Sequence, residues 1–259
     1  MSVQLVTGGG TGIGAAIAGR LASDGHDVVV AGRRLEPLEA VAATSPRIAA
    51  MVADVSDGAS MRALVDRIGE RHGRLDGVVA NAGGHGYDPV GDTSDAAWRA
   101  SLDANLTTAF VTARETLPML EADGGGSLVV VSSLAGIRAA PDTAGYTVGK
   151  HALLGLMRSI ARDYGSRGVR ANAICPGWVR TPLADEEMRV LVADGGATDV
   201  EGGYARVTRD VPLRRAADPG EIASVVAFLL GADASYVHGA TLVVDGGAHV
   251  VDVPTLAFG

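Results

Sequence analysis

The chain has 259 residues, a length that one α/β domain can reach. Hydrophobic residues make up 47% but aromatics only 4%, so the core must come from Val, Ala, Leu and Ile, with Gly allowing close packing. A net charge of −8 without any Lys/Arg tract speaks against a nucleic-acid surface, and a single cysteine, Cys175, excludes an intrachain disulfide.

Cys175 sits in an apolar run and reads as a small buried residue. The N-terminus runs straight into a strand, with no basic region before a long apolar stretch. No window reaches the apolar length of a membrane span, so a soluble, cytoplasmic protein is expected.

Val3-Gln4-Leu5-Val6-Thr7 reads as a strand, Gly8 to Gly14 as a Gly-rich turn, and Ala15 to Ala22 as an amphipathic helix. Glycines let the backbone turn tightly and approach a ligand, and the helix N-terminus offers N–H groups to a phosphate. The spacing Gly8-x-x-x-Gly12-x-Gly14 is not the strict G-x-G-x-x-G fingerprint. Its place between a strand and a helix still points to nucleotide binding over a loop that merely needs positive φ. The next strand, Asp27 to Ala31, leads into Gly32-Arg33-Arg34. There an acid would bind a ribose 2′-hydroxyl, whereas Arg accommodates a 2′-phosphate. Two arginines and no acid favour NADP(H), with NAD(H) the alternative; both arginines can also be read as solvated loop charges.

Arg47 to Ala53 reads as a third strand, ending in Asp54-Val55. That pair can bracket an adenine ring, or Asp54 can cap the helix that follows. Ser60 to Gly69 has helical periodicity, and Leu75 to Ala80 is a fourth strand running into Asn81-Ala82-Gly83-Gly84. Small residues there admit a cofactor; Asn81 reads equally as a structural amide bridging strands. One helix is expected over 94–119, with Asn105 on its inward stripe. Taken alone, that helix favours a satisfied core amide over a site residue. After the turn Asp123 to Gly126, a fifth strand, Ser127 to Val131, ends at Ser132-Ser133, where a hydroxyl lies on the ligand edge of an open sheet.

The next helix, to about Tyr164, carries Tyr146 and Lys150 on one face, one turn apart. A nearby cation favours the phenolate and would bring a tyrosine down from its usual value near 10. By itself the pair is an ordinary solvated helix face. His151 points to another face and reads as structural. Gly168 to Cys175 is a sixth strand, broken by Pro176-Gly177 and followed by Trp178-Val179-Arg180-Thr181. Residues 183–213 are rich in acids and glycines and weakly periodic, and are expected to form a mobile flap with short helices beside the site. Asp218-Pro219-Gly220-Glu221 opens a helix through Leu230 with a capping box, and Ala240 to Val244 is the last strand. The mostly apolar tail should be tied down, against another subunit if not its own chain.

Strand–helix alternation gives an α/β fold, a doubly wound parallel sheet of about seven strands with helices on both faces, in one domain over 1–259. The motifs Thr7-Gly8-x-x-x-Gly12-Ile13-Gly14, Asn81-Ala82-Gly83, Asn105, Ser133, Tyr146-x-x-x-Lys150 and Pro176-Gly177 with Thr181 follow one another in order. In that order and spacing the chain resembles the short-chain dehydrogenase/reductase family over nearly its whole length. The resemblance implies a Rossmann-type fold and an oxidoreductase that interconverts a ketone and a secondary alcohol by hydride transfer.

The same resemblance implies the roles. Tyr146 is the general acid/base, Lys150 lowers its pKa and holds the nicotinamide ribose, and Ser133 holds the substrate oxygen. Asn105 supports a water-linked proton path to Lys150. Gly8, Thr11, Gly12, Ile13 and Gly14 line the pyrophosphate, and Asp54 and Val55 flank adenine. Asn81, Ala82 and Gly83 lie along the adenosine half. Pro176 and Gly177 belong to the cofactor site, with Val179 and Thr181 on the carboxamide. Arg33, with Arg34 beside it, meets a 2′-phosphate. Thr11 stands where NADP-dependent relatives often carry a basic residue, so NADP(H) rests on the two arginines. His85 and Trp178 are substrate-pocket neighbours or plain loop residues. No metal is expected.

Two rival functions follow. A 3-oxoacyl-[acyl-carrier-protein] reductase should carry a basic patch to meet its acidic carrier. The flap instead mixes Asp185, Glu186, Glu187, Asp194, Asp199 and Glu201 with a few arginines, which suits a free small molecule. A non-catalytic dinucleotide sensor is the second rival; loss of Tyr146, Lys150 or Ser133 would suggest it, and all three are present. The family is commonly tetrameric, so a homotetramer is expected.

Overall fold

In the computed structural model, which describes residues 2–84, 86–122 and 124–258, apolar strands alternate with helices from the start. The strands are β1 (Val3–Thr7), β2 (Asp27–Gly32), β3 (Ile48–Val52), β4 (Gly77–Ala80), β5 (Ser127–Val131), β6 (Arg170–Pro176) and β7 (Thr241–Val244). They form one sheet in the order β3-β2-β1-β4-β5-β6-β7, with every neighbouring pair parallel. The winding reverses between β1 and β4, and a crevice opens at the carboxyl ends of strands where that happens.

The helices are α1 (Gly12–Ser23), α2 (Leu35–Ala42), α3 (Gly58–His72), α4 (Asp95–Leu102), α5 (Thr108–Ala122), α6 (Ala144–Tyr164), α7 (Pro182–Ala193), α8 (Val200–Val207) and α9 (Pro219–Leu230). Successive strand residues point to opposite faces, and both faces here are apolar. Leu5, Val78, Leu128 and Val130 pack with Leu64, Leu117 and Met157 from α3, α5 and α6. Val6, Val79, Val129 and Val131 pack with Ile17, Leu38 and Val226 from α1, α2 and α9. Burying one such side chain contributes about 1.5–3 kcal/mol, so continuous Val/Leu runs select a sheet covered on both sides. The doubly wound sheet expected from the sequence is therefore present.

Three local features differ from expectation. Helix α2 has no counterpart in the sequence reading; it is only eight residues long, too short for a helical period to stand out, and Leu38 is its one buried residue. Asp57, not Asp54, caps α3: its carboxylate accepts from the N–H groups of Ala59 and Ser60. Asp54 instead accepts from the N–H and hydroxyl of Ser56, at 3.0 and 2.6 Å. The single helix over 94–119 is divided into α4, a π-helical turn at Asp103–Thr107, and α5. Thr108 N–H there bonds the Asp103 carbonyl, one residue further back than in an α-helix.

The 183–213 segment forms the short helices expected of it, α7 and α8, which pack Ala184, Met188 and Ala216 around Tyr204, itself only 2% exposed. Arg180 lies 4.5 Å from the Tyr204 ring and forks onto Glu201 at 2.6 and 2.8 Å. The tail forms two 3₁₀ segments, Ala248–Val250 and Val253–Phe258, and in the single chain Val250, Val253 and Phe258 stay in solvent. Among the described residues no helix is long and apolar enough to cross a membrane.

Candidate active site

The carboxyl ends of β1, β2, β4 and β5, with the starts of α1 and α7, enclose a crevice of about 880 Å³. At its floor the chain leaves β1 through the Gly-rich turn. Gly12 has φ +54°, a conformation other residues adopt at a cost. A Cβ at Gly14 would stand 2.3 Å from the Gly8 carbonyl and 2.6 Å from Asn81 Nδ2, so α1 can begin this close to β4 only with glycine there. Thr11, the N-cap of α1, makes no side-chain cap bond, which leaves the first-turn N–H groups to an anion in the crevice.

Asn81 braces this floor. Its Nδ2 donates to the carbonyls of Thr7 and Gly8 at 3.0 and 3.2 Å, and its own N–H donates to Thr7 Oγ1 at 3.2 Å. It is the bridging amide that the sequence reading allowed, and it also lines the crevice with Ala82 and Gly83. Towards β2 and β3 the walls are Arg33, Arg34, Asp54 and Val55, together with Pro37 and Ser56. Hydrogen bonds from Ser56, and secondarily the nearby Arg33, hold the Asp54 carboxyl below its usual range.

On the opposite wall α6 presents Tyr146 and Lys150. Lys150 is 5% exposed; its Nζ donates to the Val131 carbonyl at 3.1 Å and lies 5.6 Å from the Tyr146 ring centroid. Burial pulls the ammonium down to about 8. Tyr146 moves the other way. Burial pushes the phenol up, a hydrogen bond with the Ser133 hydroxyl pulls it back, and the Glu187 carboxylate raises it further. The lowering expected from Lys150 is thus reversed in the protein alone, because desolving a phenolate outweighs an ammonium turned towards Val131.

Ser133 is held at the end of β5, where its Oγ caps a 3₁₀ turn by accepting from the Ala135 N–H at 3.1 Å. Neighbouring Ser132 donates to the Lys150 carbonyl at 2.9 Å and so fixes α6 against β5. Asn105 is 1% exposed in the π turn. Its Oδ1 accepts from the Gly84 N–H at 3.2 Å and its Nδ2 donates to the Ser101 carbonyl at 3.0 Å. A methyl group at Gly83 would stand 3.3 Å from Lys150 Nζ and 3.6 Å from Asn105 Oδ1. Asn105 is therefore a satisfied buried amide, the first of the two alternatives, and it packs close to the lysine.

Thr181 caps α7 and lines the crevice, with its side chain against the Gly12 position. Pro176, Gly177 and Val179 are not on that wall: Pro176 ends β6, and Val179 is buried in a bridge to Ala217. Gly177 and Trp178 line a separate hollow of about 110 Å³ beside Leu213 and Arg215. His85 lies outside the described residues. His151, on the exposed side of α6, bonds only back to the Thr147 carbonyl among the contacts seen for it.

Two residues of the crevice wall meet next to Tyr146 in a way the sequence did not foresee. Tyr87 donates its hydroxyl to Glu187 Oε1, and its ring centroid lies 6.4 Å from that of Tyr146 at an interplanar angle of 41°. They are 100 residues apart, on a loop and on α7, so no local pattern could pair them.

The crevice thus joins an anion cradle to a phenol hydrogen-bonded to a hydroxyl and backed by a buried amine. Residues 8–249 match the family described as Enoyl-(Acyl carrier protein) reductase. The chain is 47% identical to Protein MoaE of Klebsiella aerogenes, over 99% of this chain and 98% of that protein. It is 38% identical to levodione reductase of Leifsonia aquatica, over 95% and 93%. The crystal structure of levodione reductase superposes with a TM-score of 0.91 at 36% identity, covering 97% and 98% of the two chains. A crystal structure of actinorhodin polyketide ketoreductase with NADPH gives 0.90 at 32% identity, covering 95% and 96%.

Proposed function

The chain belongs to the short-chain dehydrogenase/reductase family, oxidoreductases acting on alcohols and carbonyls, and from that premise we propose an NADP(H)-dependent enzyme interconverting a small-molecule ketone and secondary alcohol. The observation that carries this is that Tyr146, hydrogen-bonded to the Ser133 hydroxyl, and the buried Lys150 line the same crevice as the Gly-rich turn and the open start of α1.

The residues fit a nicotinamide dinucleotide: the start of α1, whose N-cap makes no side-chain bond, opens into the crevice where a pyrophosphate would sit. Gly8, Thr11, Gly12, Ile13 and Gly14 hold that group, Asp54 and Val55 flank adenine, and Asn81, Ala82 and Gly83 border the adenosine half. Thr181 sets the carboxamide end of the crevice; Pro176, Gly177 and Val179, which lie off its wall, keep no part in that site. Arg33 and Arg34 line the crevice beyond β2, where they receive a 2′-phosphate. When bound, the cofactor supplies or takes up hydride at its nicotinamide ring. In reduction Tyr146 gives its proton to the substrate oxygen; in oxidation it takes one back. Ser133 holds that oxygen and stabilises its developing charge. Lys150, protonated below about pH 8, places its cation 5.6 Å from the Tyr146 ring and holds the nicotinamide ribose, and Asn105 links it to a water path. Residues 183–213 act as a flap on one domain spanning 1–259, in a cytoplasmic homotetramer.

Hydride transfer on a panel of ketones and alcohols, read by cofactor absorbance with NADPH and NADH at equal concentration, tests the reading. Turnover with NADPH preferred, a preference lost in Arg33→Ala, supports it. A clear NADH preference unchanged in Arg33→Ala removes the NADP(H) assignment. Cofactor binding without turnover of any panel member favours the sensor instead.

A further inference from the structure

Thr181 reaches the crevice from the start of α7, and its methyl carbon lies 3.1 Å from where a Cβ on Gly12 would stand. That end of the site is therefore only as well placed as the first turn of α7. The bonds of Thr181 itself do not place it. Its Oγ1 accepts from the Ala184 N–H at 3.2 Å and its carbonyl from the Asp185 N–H at 2.8 Å, both within the same helix. They shape the turn and leave its position to other elements.

Before Thr181 the chain is held by Ala217: the Ala217 N–H donates to the Trp178 carbonyl and the Arg180 N–H to the Ala217 carbonyl, each at 2.9 Å. After it, one buried side chain of α8 takes over. The Tyr204 hydroxyl donates to Asp185 Oδ1, one turn beyond Thr181, at 2.8 Å, and its oxygen accepts from the Thr181 N–H. The Arg180 guanidinium lies on the Tyr204 ring. One tyrosine from another helix thus grips residues 180, 181 and 185. It stands behind the crevice wall among Ala184, Met188 and Ala216. A Cβ on neighbouring Gly203 would come within 3.0 Å of the Met188 side chain, so α8 lies tight on α7. The Arg180–Glu201 pair is a weaker tie, because the Glu201 side chain is 71% exposed and water screens it. Burial and the Asp185 carboxylate both raise the Tyr204 phenol, so it keeps its proton, and its donated bond, through neutral pH.

We propose that Tyr204 is a positioning residue for the nicotinamide half of the cofactor: through Asp185 and the Thr181 backbone it sets where Thr181 stands, without itself touching the cofactor. The inference rests on the reading of Thr181 at the nicotinamide end of a dinucleotide site.

The test titrates the full-length protein in a calorimeter with NADP+ and with 2′-phospho-ADP-ribose, the same molecule without its nicotinamide. NAD+ and ADP-ribose form a second pair, so the result does not depend on the 2′-phosphate. Tyr204→Phe keeps the ring and removes the hydroxyl. It should weaken the complete dinucleotide about fivefold or more and leave the truncated one within about twofold. Asp185→Asn, whose amide oxygen still accepts the phenol proton, should stay near native, whereas Asp185→Ala should follow Tyr204→Phe. Added to Thr181→Ala, Tyr204→Phe should cost nothing further, because it acts through Thr181. Equal weakening of both ligands would show that Tyr204 only holds the fold together. No weakening of either would show that α7 is placed without it, and a fully additive double variant would put its action elsewhere. Each of these overturns the proposal, and the two Asp185 variants decide it if Tyr204→Phe does not fold. Native binding without the expected variant pattern sinks the positioning role alone. A native protein that binds none of the four ligands sinks the dinucleotide reading and this inference with it.

Discussion

At the scale of single residues, the site turns on how burial treats two side chains of opposite acid–base type. Burial disfavours the charged form of each, raising the Tyr146 phenol and lowering the Lys150 ammonium to about 8. Tyr146→Phe keeps the ring and removes the proton, so kcat/KM should fall by about 10²–10⁴ while cofactor titration shows retained binding. A variant within tenfold of the native rate would remove Tyr146 from the proton-transfer role. Lys150 also makes a stability prediction. Between about pH 8 and its ordinary value of 10.5 the unfolded chain binds a proton that the folded chain does not. Stability from this group therefore rises with pH across that window, and its cost is fully present below pH 8. The difference in urea-unfolding free energy between the native chain and Lys150→Met should shift towards the native chain over the window, by on the order of 3 kcal/mol. A difference independent of pH would show that Lys150 titrates normally.

At the scale of elements, the cofactor floor is a matter of clearance. Gly14 begins α1 against the Gly8 carbonyl and Asn81, so Gly14→Ala must move the helix start or the brace. We expect cofactor affinity to drop at least tenfold with little change in far-ultraviolet circular dichroism, since α1 remains packed on α9 through Ile17 and Val226. Unchanged affinity would mean that the α1 terminus is not the cradle. Helix α3 gives a stability counterpart away from the site: Asp57→Ala removes an N-cap bonded to two backbone N–H groups and should cost about 1 kcal/mol in urea unfolding. The same change at Asp54 should cost less in stability and more in cofactor affinity, because Asp54 holds Ser56 at the crevice wall and not the α3 terminus. The π turn at Asp103–Thr107 belongs to this scale too. It inserts one residue into the α4–α5 run and seats Asn105 beside Gly84 and Lys150.

At the scale of the whole molecule, one parallel sheet gathers at a single edge groups that are far apart in the chain. Arg33 follows β2, Asn81 follows β4, Ser133 follows β5 and Thr181 follows β6, and the order reversal between β1 and β4 opens the crevice among them. The exposed apolar tail, with Phe258 at 90% and Val253 at 71%, suits burial by a neighbouring subunit. Light scattering should report a tetramer, and a mass near the 26.2 kDa of one chain would count against it.

How much of this was legible in the chain follows from the range of each signal. Val and Leu runs bounded by glycine turns, and the fixed order of Gly8 to Gly14, Asn81, Ser133, Tyr146 and Lys150, are local patterns, so the sequence by itself determined the doubly wound sheet, the family and the candidate proton-transfer group. Helix α2 was illegible because eight residues span too few turns to establish a period. The π turn was illegible because shifting one hydrogen bond leaves composition unchanged. Only the tertiary structure decided the sign of the Tyr146 shift, since burial is a property of everything packed around it. It also placed Trp178 in a hollow apart from the crevice. And it alone brought Tyr87 to Glu187, because a contact across 100 residues is set by how the sheet folds those two segments together and by nothing in either segment.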